Sequence, residues 1–330
     1  MLGLWGRNQK MIKGTYIFYQ DGKEIYRSPN VITKFGARYF TNLIAGNVPN
    51  YKLDMAFGIC TGAEYALSNE NSRLGFEFYR VPVTFGSTDI QTTAGVTTYS
   101  VVFKTTLLQD VISKINEIGV YPSSRISQND FDSKFVSDFA NNLDWITSAG
   151  VNPASVTSNY RIGGNLLNMT AASGTPKEYK STISPLNLSG YSVNDSFSLA
   201  FYKADSNLSS IKIRFYSSST KYYEKTLTTT EFGAGSGYKV GSNVNFTLGN
   251  LYSSPTNSAT APDKTNINEI GIILTASSST TTVGFDGLRI NDEDTFDPIF
   301  GLISRSTLGT TLDKVGGRPV EVEYRLDLDF

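Results

Sequence analysis

The chain has 330 residues, room for two domains that each bury a core. Its formal net charge is −1 and 18% of its residues are charged, so it carries no basic field for nucleic acid or an anionic membrane surface. It has no histidine and one cysteine, which removes Ser-His-Asp and Cys-His catalysis, histidine metal sites, internal disulfides and zinc clusters.

Ser, Thr, Gly, Asn, Tyr and Phe are abundant, and long amphipathic helical stretches are scarce. The expected fold class is therefore all-β with many turns. No apolar run approaches the roughly 18 residues of a membrane helix. The opening MLGLWGRNQK lacks the long apolar core of a secretory signal. Cys60 reads as a small buried apolar residue, and a disulfide-free chain fits assembly in a reducing cytoplasm.

In chain order, GTYIFYQDGKEIYRS (Gly14–Ser28) reads as a hairpin turning at Asp21-Gly22, a pair suited to positive φ. NVITKFGARYFTNLIAG follows, with Phe35, Tyr39, Phe40, Leu43 and Ile44 at helical spacing and Gly46 to close the end. This is the one clear helix of the first segment. Lys52–Phe85 gives a strand, a Gly-rich turn, a polar loop and a second strand; Val96–Leu108 gives another. In INEIGVY, Glu117 and Gly119 interrupt an apolar run, as at a strand edge or bulge. At the C-terminus, Val320, Val322, Tyr324, Leu326, Leu328 and Phe330 alternate with Glu321, Glu323, Arg325, Asp327 and Asp329, a half-buried strand with one wet side.

Between about residues 131 and 298 Ser, Thr and Asn rise, and short strands recur. Asn159–Ser173 reads as strand, Gly-Gly turn, strand; Ser196–Thr228 as three strands; Val244–Tyr252 as one more; Ile267–Asp292 as a final pair. This texture predicts a jelly-roll β-sandwich. INEIG occurs twice, at Ile115–Gly119 and Ile267–Gly271, but VISK before the first and DKTN before the second share nothing. The repetition therefore reads as convergent, with Asn at a turn, Glu on a wet face, Ile inward and Gly at a bend.

Two resemblances rest on these residues. NNLDWITSAG, NYRIGGNLLNMTAAS and INEIGIILTASSSTTTVGFDGLRI, the last carrying Asp286, resemble the first and last strands of carbohydrate-binding-module jelly rolls. The flanks resemble structural proteins of tailed bacteriophages in the order NVITKFGARYFTNLIAG, FGICTG, LGFEFYRVPV, VVFKTTLLQDVISKINEIGVY, GLISRSTLGTTLDKVGGRPVEVEYRLDLDF. Together they imply a discontinuous β-sandwich-like host domain, 1–128 closed by 298–330, with an inserted jelly-roll at 129–297. The closing strand would pair with Val96–Leu108. Insertion at a loop is tolerated when the guest's ends lie close together.

Candidate sites follow. Tyr202, Arg214, Tyr216 and Tyr222 could stack a sugar ring and bind its hydroxyls; the alternative is a tyrosine-rich face that packs on a neighbour. Asp286, Asp292 and Asp294, with Asp144, are candidate ligands for structural Ca²⁺, against a solvated linker at NDEDTFD. GAGSGYKVG lacks the Gly-Lys-Ser/Thr ending of a phosphate loop and reads as a hairpin loop. Paired carboxylates for glycoside hydrolysis have no distinguishing signal. The expectation is a non-enzymatic virion component, tail or baseplate, without a catalytic cofactor. It would assemble in the host cytoplasm with other virion proteins and copies of itself, and its jelly roll would adhere to a cell-surface glycan or attach a neighbouring fibre. It would bind no nucleic acid and insert in no membrane. The alternatives are a purely architectural spacer or decoration protein, and a glycan-active surface enzyme with an accessory module.

Overall fold

Asp21 and Gly22 both take positive φ, 52° and 74°, and close the hairpin of β1 (Ile12–Gln20) and β2 (Lys23–Pro29). Positive φ at both central residues matches the twist of the flanking strands. The structure, a computed structural model, describes residues 12–47, 52–60, 66–123, 135–240, 245–253, 261–291 and 301–329. After β3 (Val31–Ile32), Thr33 caps the helix α1 (Lys34–Ile44), its side chain accepting from Gly36 N at 3.0 Å. Tyr39 is buried, and Gly46 at φ 73° follows the helix as expected, whereas Leu43 points to solvent.

Next come β4 (Lys52–Ile59), β5 (Phe76–Pro82), β6 (Thr84–Thr93), β7 (Val96–Leu107) and β8 (Ser113–Ser123). The middle of the chain supplies β9 (Phe135–Ser137), β10 (Trp145–Thr147), β11 (Ala154–Val156), β12 (Leu166–Ala171), β13 (Lys177–Leu186) and β14 (Ser196–Lys203). It continues with β15 (Leu208–Ser218), β16 (Lys221–Thr228), β17 (Gly237–Lys239), β18 (Asn245–Thr247), β19 (Ile267–Ala276) and β20 (Thr281–Asn291). β21 (Ser304–Lys314) and β22 (Val320–Asp329) close the chain.

The fold is all-β, and the described strands form four antiparallel sheets. Sheet A runs β2-β1-β22-β7-β6, and sheet B runs β3-β21-β8-β4-β5. Sheet C runs β11-β12-β20-β14-β17, with β9 on β20 and β18 on β14; sheet D runs β10-β13-β19-β15-β16. Strands before residue 124 and after 303 thus make A and B, and strands between 135 and 291 make C and D. Tyr16, Phe18, Val322 and Tyr324 of A share a core with Met55, Phe57, Ile118 and Val120 of B. Leu199, Phe201 and Phe285 of C share another with Ile213, Phe215 and Ile272 of D. Each such side chain, fully buried, contributes about 1.5–3 kcal/mol.

The closing strand pairs as its alternation demands. β22 lies antiparallel to β7 from Val320↔Leu107 to Asp329↔Thr98, with Val322, Tyr324 and Leu326 buried. Elsewhere the structure corrects the sequence. Both INEIG stretches lie in strands that are third of five in their sheets, β8 in B and β19 in D, not at edges or turns. Their glycines sit mid-strand because something crosses there. A Cβ on Gly119 would come within 2.5 Å of Leu302, and one on Gly271 within 2.6 Å of Glu178 Oε1. Asn159–Ser173 is not a hairpin; β12 takes β11 as its hairpin partner, and Ile162 makes only a bridge to Ser113. Val244–Tyr252 splits into β18 and the helical turn Leu248–Tyr252. β6 and β13 were not legible, being rich in Thr, Ser, Lys and Gln rather than in alternating apolar residues.

Sheet C also packs against sheet B. Ile162, Ala200 and Val240 join the core of A and B, and the Phe76 and Phe135 rings meet edge-on at 6.1 Å. Arg289 donates to the Glu77 carbonyl, Lys114 N to Arg161 O at 2.8 Å, and Gly163 N to Ile112 O at 3.0 Å.

Candidate functional site

In sheet D, Ile211, Ile213 and Phe215 turn into the core, so Lys212, Arg214 and Tyr216 turn outward. The register places Arg214 opposite Glu224 and Tyr216 opposite Tyr222 on β16, and Arg214 opposite Gly271 and Tyr216 opposite Glu269 on β19. Glu178 and Lys180 come from β13 beyond. One face thus gathers alternating acids, bases and tyrosines from four strands.

These side chains hold one another. Arg214 Nε donates to Glu224 Oε2 at 2.7 Å, and Lys212 Nζ to Glu224 Oε1 at 3.0 Å. Tyr216 OH donates to Glu178 Oε1 at 2.6 Å and accepts from Arg214 Nη1 at 3.2 Å. Lys180 Nζ donates to Glu269 Oε1 at 2.8 Å and lies 3.9 Å from the centre of the Tyr216 ring. The Arg214 guanidinium lies 4.4 Å from the centre of the Tyr222 ring. Gly271 makes the crossing possible, since any Cβ there would stand 3.0 Å from Tyr216 Cε2. Burial and the bond to Glu178 raise the Tyr216 hydroxyl above its ordinary pKa. Burial pushes the Glu224 carboxyl up, but Arg214 and Lys212 outweigh it and hold it below the usual range.

The structure therefore brings together Arg214, Tyr216 and Tyr222, and adds Glu178, Lys180, Lys212, Glu224 and Glu269, which the sequence did not single out. Only the strand register, which joins β13 to β19 and β19 to β15, could have found them. Two corrections follow. Tyr202 is not on this face: it lies on β14 of sheet C, opposite Tyr238 and Gly284. Tyr216 and Tyr222 are not open stacking platforms, since they are 2% and 8% exposed with cations over their rings.

Asp286 lies elsewhere. On β20, Phe285 pairs with Phe201 and Gly287 with Ala200, so Asp286 is the extra residue of a bulge. The bulge aims its fully buried carboxylate at the contact between sheets C and B. It accepts from Arg161 N at 2.7 Å, from Ile162 N at 3.2 Å and from the Tyr238 hydroxyl. Burial still raises its pKa to about 7, against those donors. Asp144, in contrast, is exposed on the turn before β10 and accepts from Asn141. Asp292 and Asp294 lie outside the described residues. Among the described residues no three His, Cys, Asp or Glu side chains converge as metal ligands. As an acceptor of three protein donors, Asp286 serves as a structural carboxylate.

The other raised acid among the described residues is Glu117. It is sealed with Arg305, whose Nε donates to Glu117 Oε1 at 2.5 Å, while Gly75 N donates to Glu117 Oε2 at 2.8 Å. Burial lifts its pKa to about 7 and Arg305 opposes the lift. Glu117 was expected on a wet face; its side chain is 0% exposed.

No family model matches the chain, and no curated protein matches it. Among solved structures, a carbohydrate-binding module specific for non-crystalline cellulose, CBM28, is similar over 48% of this chain and 92% of its own, at 16% identity and TM-score 0.33. A family 11 carbohydrate-binding module from Clostridium thermocellum is similar over 48% and 94%, at 15% identity and TM-score 0.33. The enzymatically active domain of bacteriophage CBA120 tailspike protein 4 is similar over 48% and 21%, at 12% identity and TM-score 0.30. These scores lie below 0.5, so the fold assignment comes from this chain's own sheets and cores.

Proposed function

We propose that the chain is a non-catalytic virion component of the tail or baseplate type. In this reading the 129–297 segment is a β-sandwich inserted into the host domain, and its sheet D face adheres to glycan on a cell surface. The particle would assemble in the host cytoplasm. One observation carries the adhesion reading: Glu178, Lys180, Lys212, Arg214, Glu224 and Glu269 form an ordered, partly exposed row on one face. A sugar hydroxyl donates and accepts at once, and such a row offers both partners. Its side chains are already cross-linked, so binding costs little ordering. Weak single contacts suffice when many copies face one surface. The order of elements in the flanks supports the virion assignment. Among the described residues the two acids with raised pKa values, Glu117 and Asp286, are sealed inside the protein and hydrogen-bonded by it, which supports adhesion over hydrolysis.

A second reading, a spacer, is favoured by the cations that already cover the Tyr216 and Tyr222 rings. The test is binding of the full chain, presented multivalently, to a glycan array and to candidate host cells. Adhesion predicts saturable binding, weakened about tenfold or more by Arg214→Ala, the loss of a charged hydrogen bond. Stacking on Tyr216 predicts tighter binding when Lys180→Ala uncovers the ring. Absence of binding by the wild type would leave the spacer reading.

A further inference from the structure

Every sheet has two edges, and an open edge is a template for another strand unless it is blunted. In this protein most edges are blunted. β3 has two residues, and β10, β11 and β17 have three each. β2 carries Lys23, Glu24, Arg27 and Pro29; β16 carries Lys221, Glu224 and Lys225. β5 ends at Pro82 and bears Glu77 and Arg80, and its Phe76 packs against Phe135 of sheet C.

β6 is the exception among the described strands. It is ten residues long, TFGSTDIQTT, without Lys, Arg, Glu or Pro, and among the described residues it is hydrogen-bonded on one side only, to β7. Nine of its ten residues are exposed. Its register on β7 puts Phe85, Thr88, Ile90 and Thr92 on the face that carries Phe103 and Tyr324 toward the core of A and B. There Phe85 and Ile90 are each 63% exposed, and Tyr99, opposite Ile90, is 42% exposed. An apolar strip therefore runs past the core and ends at an edge that no described strand pairs.

We infer that β6 is a self-association edge, pairing antiparallel with β6 of a second copy about a two-fold axis at Ile90. The sequence of the strand selects this partner and this register. Past the bulge at Phe85/Ser87, residues 87–93 run regularly against β7. Centred on Ile90, they pair Ile90 with Ile90, Thr88 with Thr92, Ser87 with Thr93, and Asp89 with Gln91. Every pair then lies on one face, as antiparallel pairing requires. The only charge, Asp89, meets an amide; Gln91 Nε2 already donates to Asp89 Oδ2 at 2.7 Å within one chain. A register centred on Asp89 would set two carboxylates opposite each other, which is destabilising. A two-fold contact is self-complementary and closes, so it joins two copies of sheet A into one sheet without forming a fibre. The pairing is independent of what sheet D binds, and lies on a different sheet from it.

The test is sedimentation of the full chain across a concentration series, with two variants. The wild type is expected to dimerise. Ile90→Lys sets two ammonium groups opposite each other on the axis and should leave a monomer that melts with the wild type at concentrations too low for pairing, because Ile90 is mostly solvent-exposed. Directly opposed antiparallel residues have Cα atoms about 4.5–5.5 Å apart, inside the disulfide range. Ile90→Cys should therefore cross-link under mild oxidation, and Thr93→Cys, which faces Ser87, should not; the native Cys60 is buried. A wild type that stays monomeric throughout would overturn the inference. So would a dimer indifferent to Ile90→Lys, or equal cross-linking of the two cysteine variants.

Discussion

Asp286 and Glu117 are both sealed carboxylates, yet they are held differently. Asp286 is satisfied by two backbone N–H groups and the Tyr238 hydroxyl, Glu117 by a guanidinium and Gly75 N. Burial raises the Asp286 pKa to about 7, from an unfolded value near 3.9. The native chain thus holds that proton more tightly than the unfolded chain. The associated stability is complete below about pH 4 and is lost as pH rises through about 7. Asp286→Asn cannot titrate, so the stability of the wild type relative to this variant should fall from pH 5 to pH 8. Parallel urea-melting stabilities across that range would refute it. At Glu117, Arg305→Leu strands a buried acid and should cost about 3–5 kcal/mol in urea melts, while Glu117→Leu with Arg305→Leu should recover most of it. Neither role was legible in sequence. Glu117 and Glu269 occupy the same place in the same pentapeptide, but Arg305 and the backbone at Gly75 enclose the first, whereas the second stays partly exposed beside Lys180.

At the scale of elements, close approach explains glycines inside helices and strands, among them Gly271, which its sequence places at a bend. A Cβ on Gly36 would stand 2.1 Å from the Ile303 carbonyl oxygen, where α1 meets the segment before β21. Thr33 N also donates to that oxygen at 3.0 Å, so the backbone there cannot give. Gly36→Ala should therefore destabilise by about 1–3 kcal/mol, the range for overpacking. Gly271→Ala meets the end of the Glu178 side chain, which can swing aside. It should cost less in thermal melts but break the Tyr216–Glu178 bond, lowering the raised Tyr216 pKa in a spectroscopic titration. Strand alternation was readable where one face is apolar, as in β22. It failed in β6, because a strand exposed on both faces has no apolar rhythm to read.

At the scale of the molecule, strands 12–123 and 304–329 build one pair of sheets and strands 135–291 the other. This division supports the proposed insertion, in which residues 129–297 fold as a unit. Expressed alone, that segment should melt cooperatively, but at a lower temperature than in the full chain. Ile162 and Val240 would lose their apolar cover, and Arg289 its acceptor on Glu77. A non-cooperative melt would count against the insertion.

Composition and local pattern determined the all-β class, the Asp21-Gly22 hairpin, the helix after Thr33 and the face of the closing strand. Each of these follows from residues adjacent in the chain, whose φ preferences and apolar spacing act locally. Tertiary structure alone decided the rest. Tyr202 and Tyr216 are separated onto different sheets because β14 pairs with β20 while β15 pairs with β19. The ordered row on sheet D draws on four strands between residues 177 and 276, and the bulge that aims Asp286 exists only against β14. Such features depend on which strands become neighbours, and that is set by burying all the apolar faces at once.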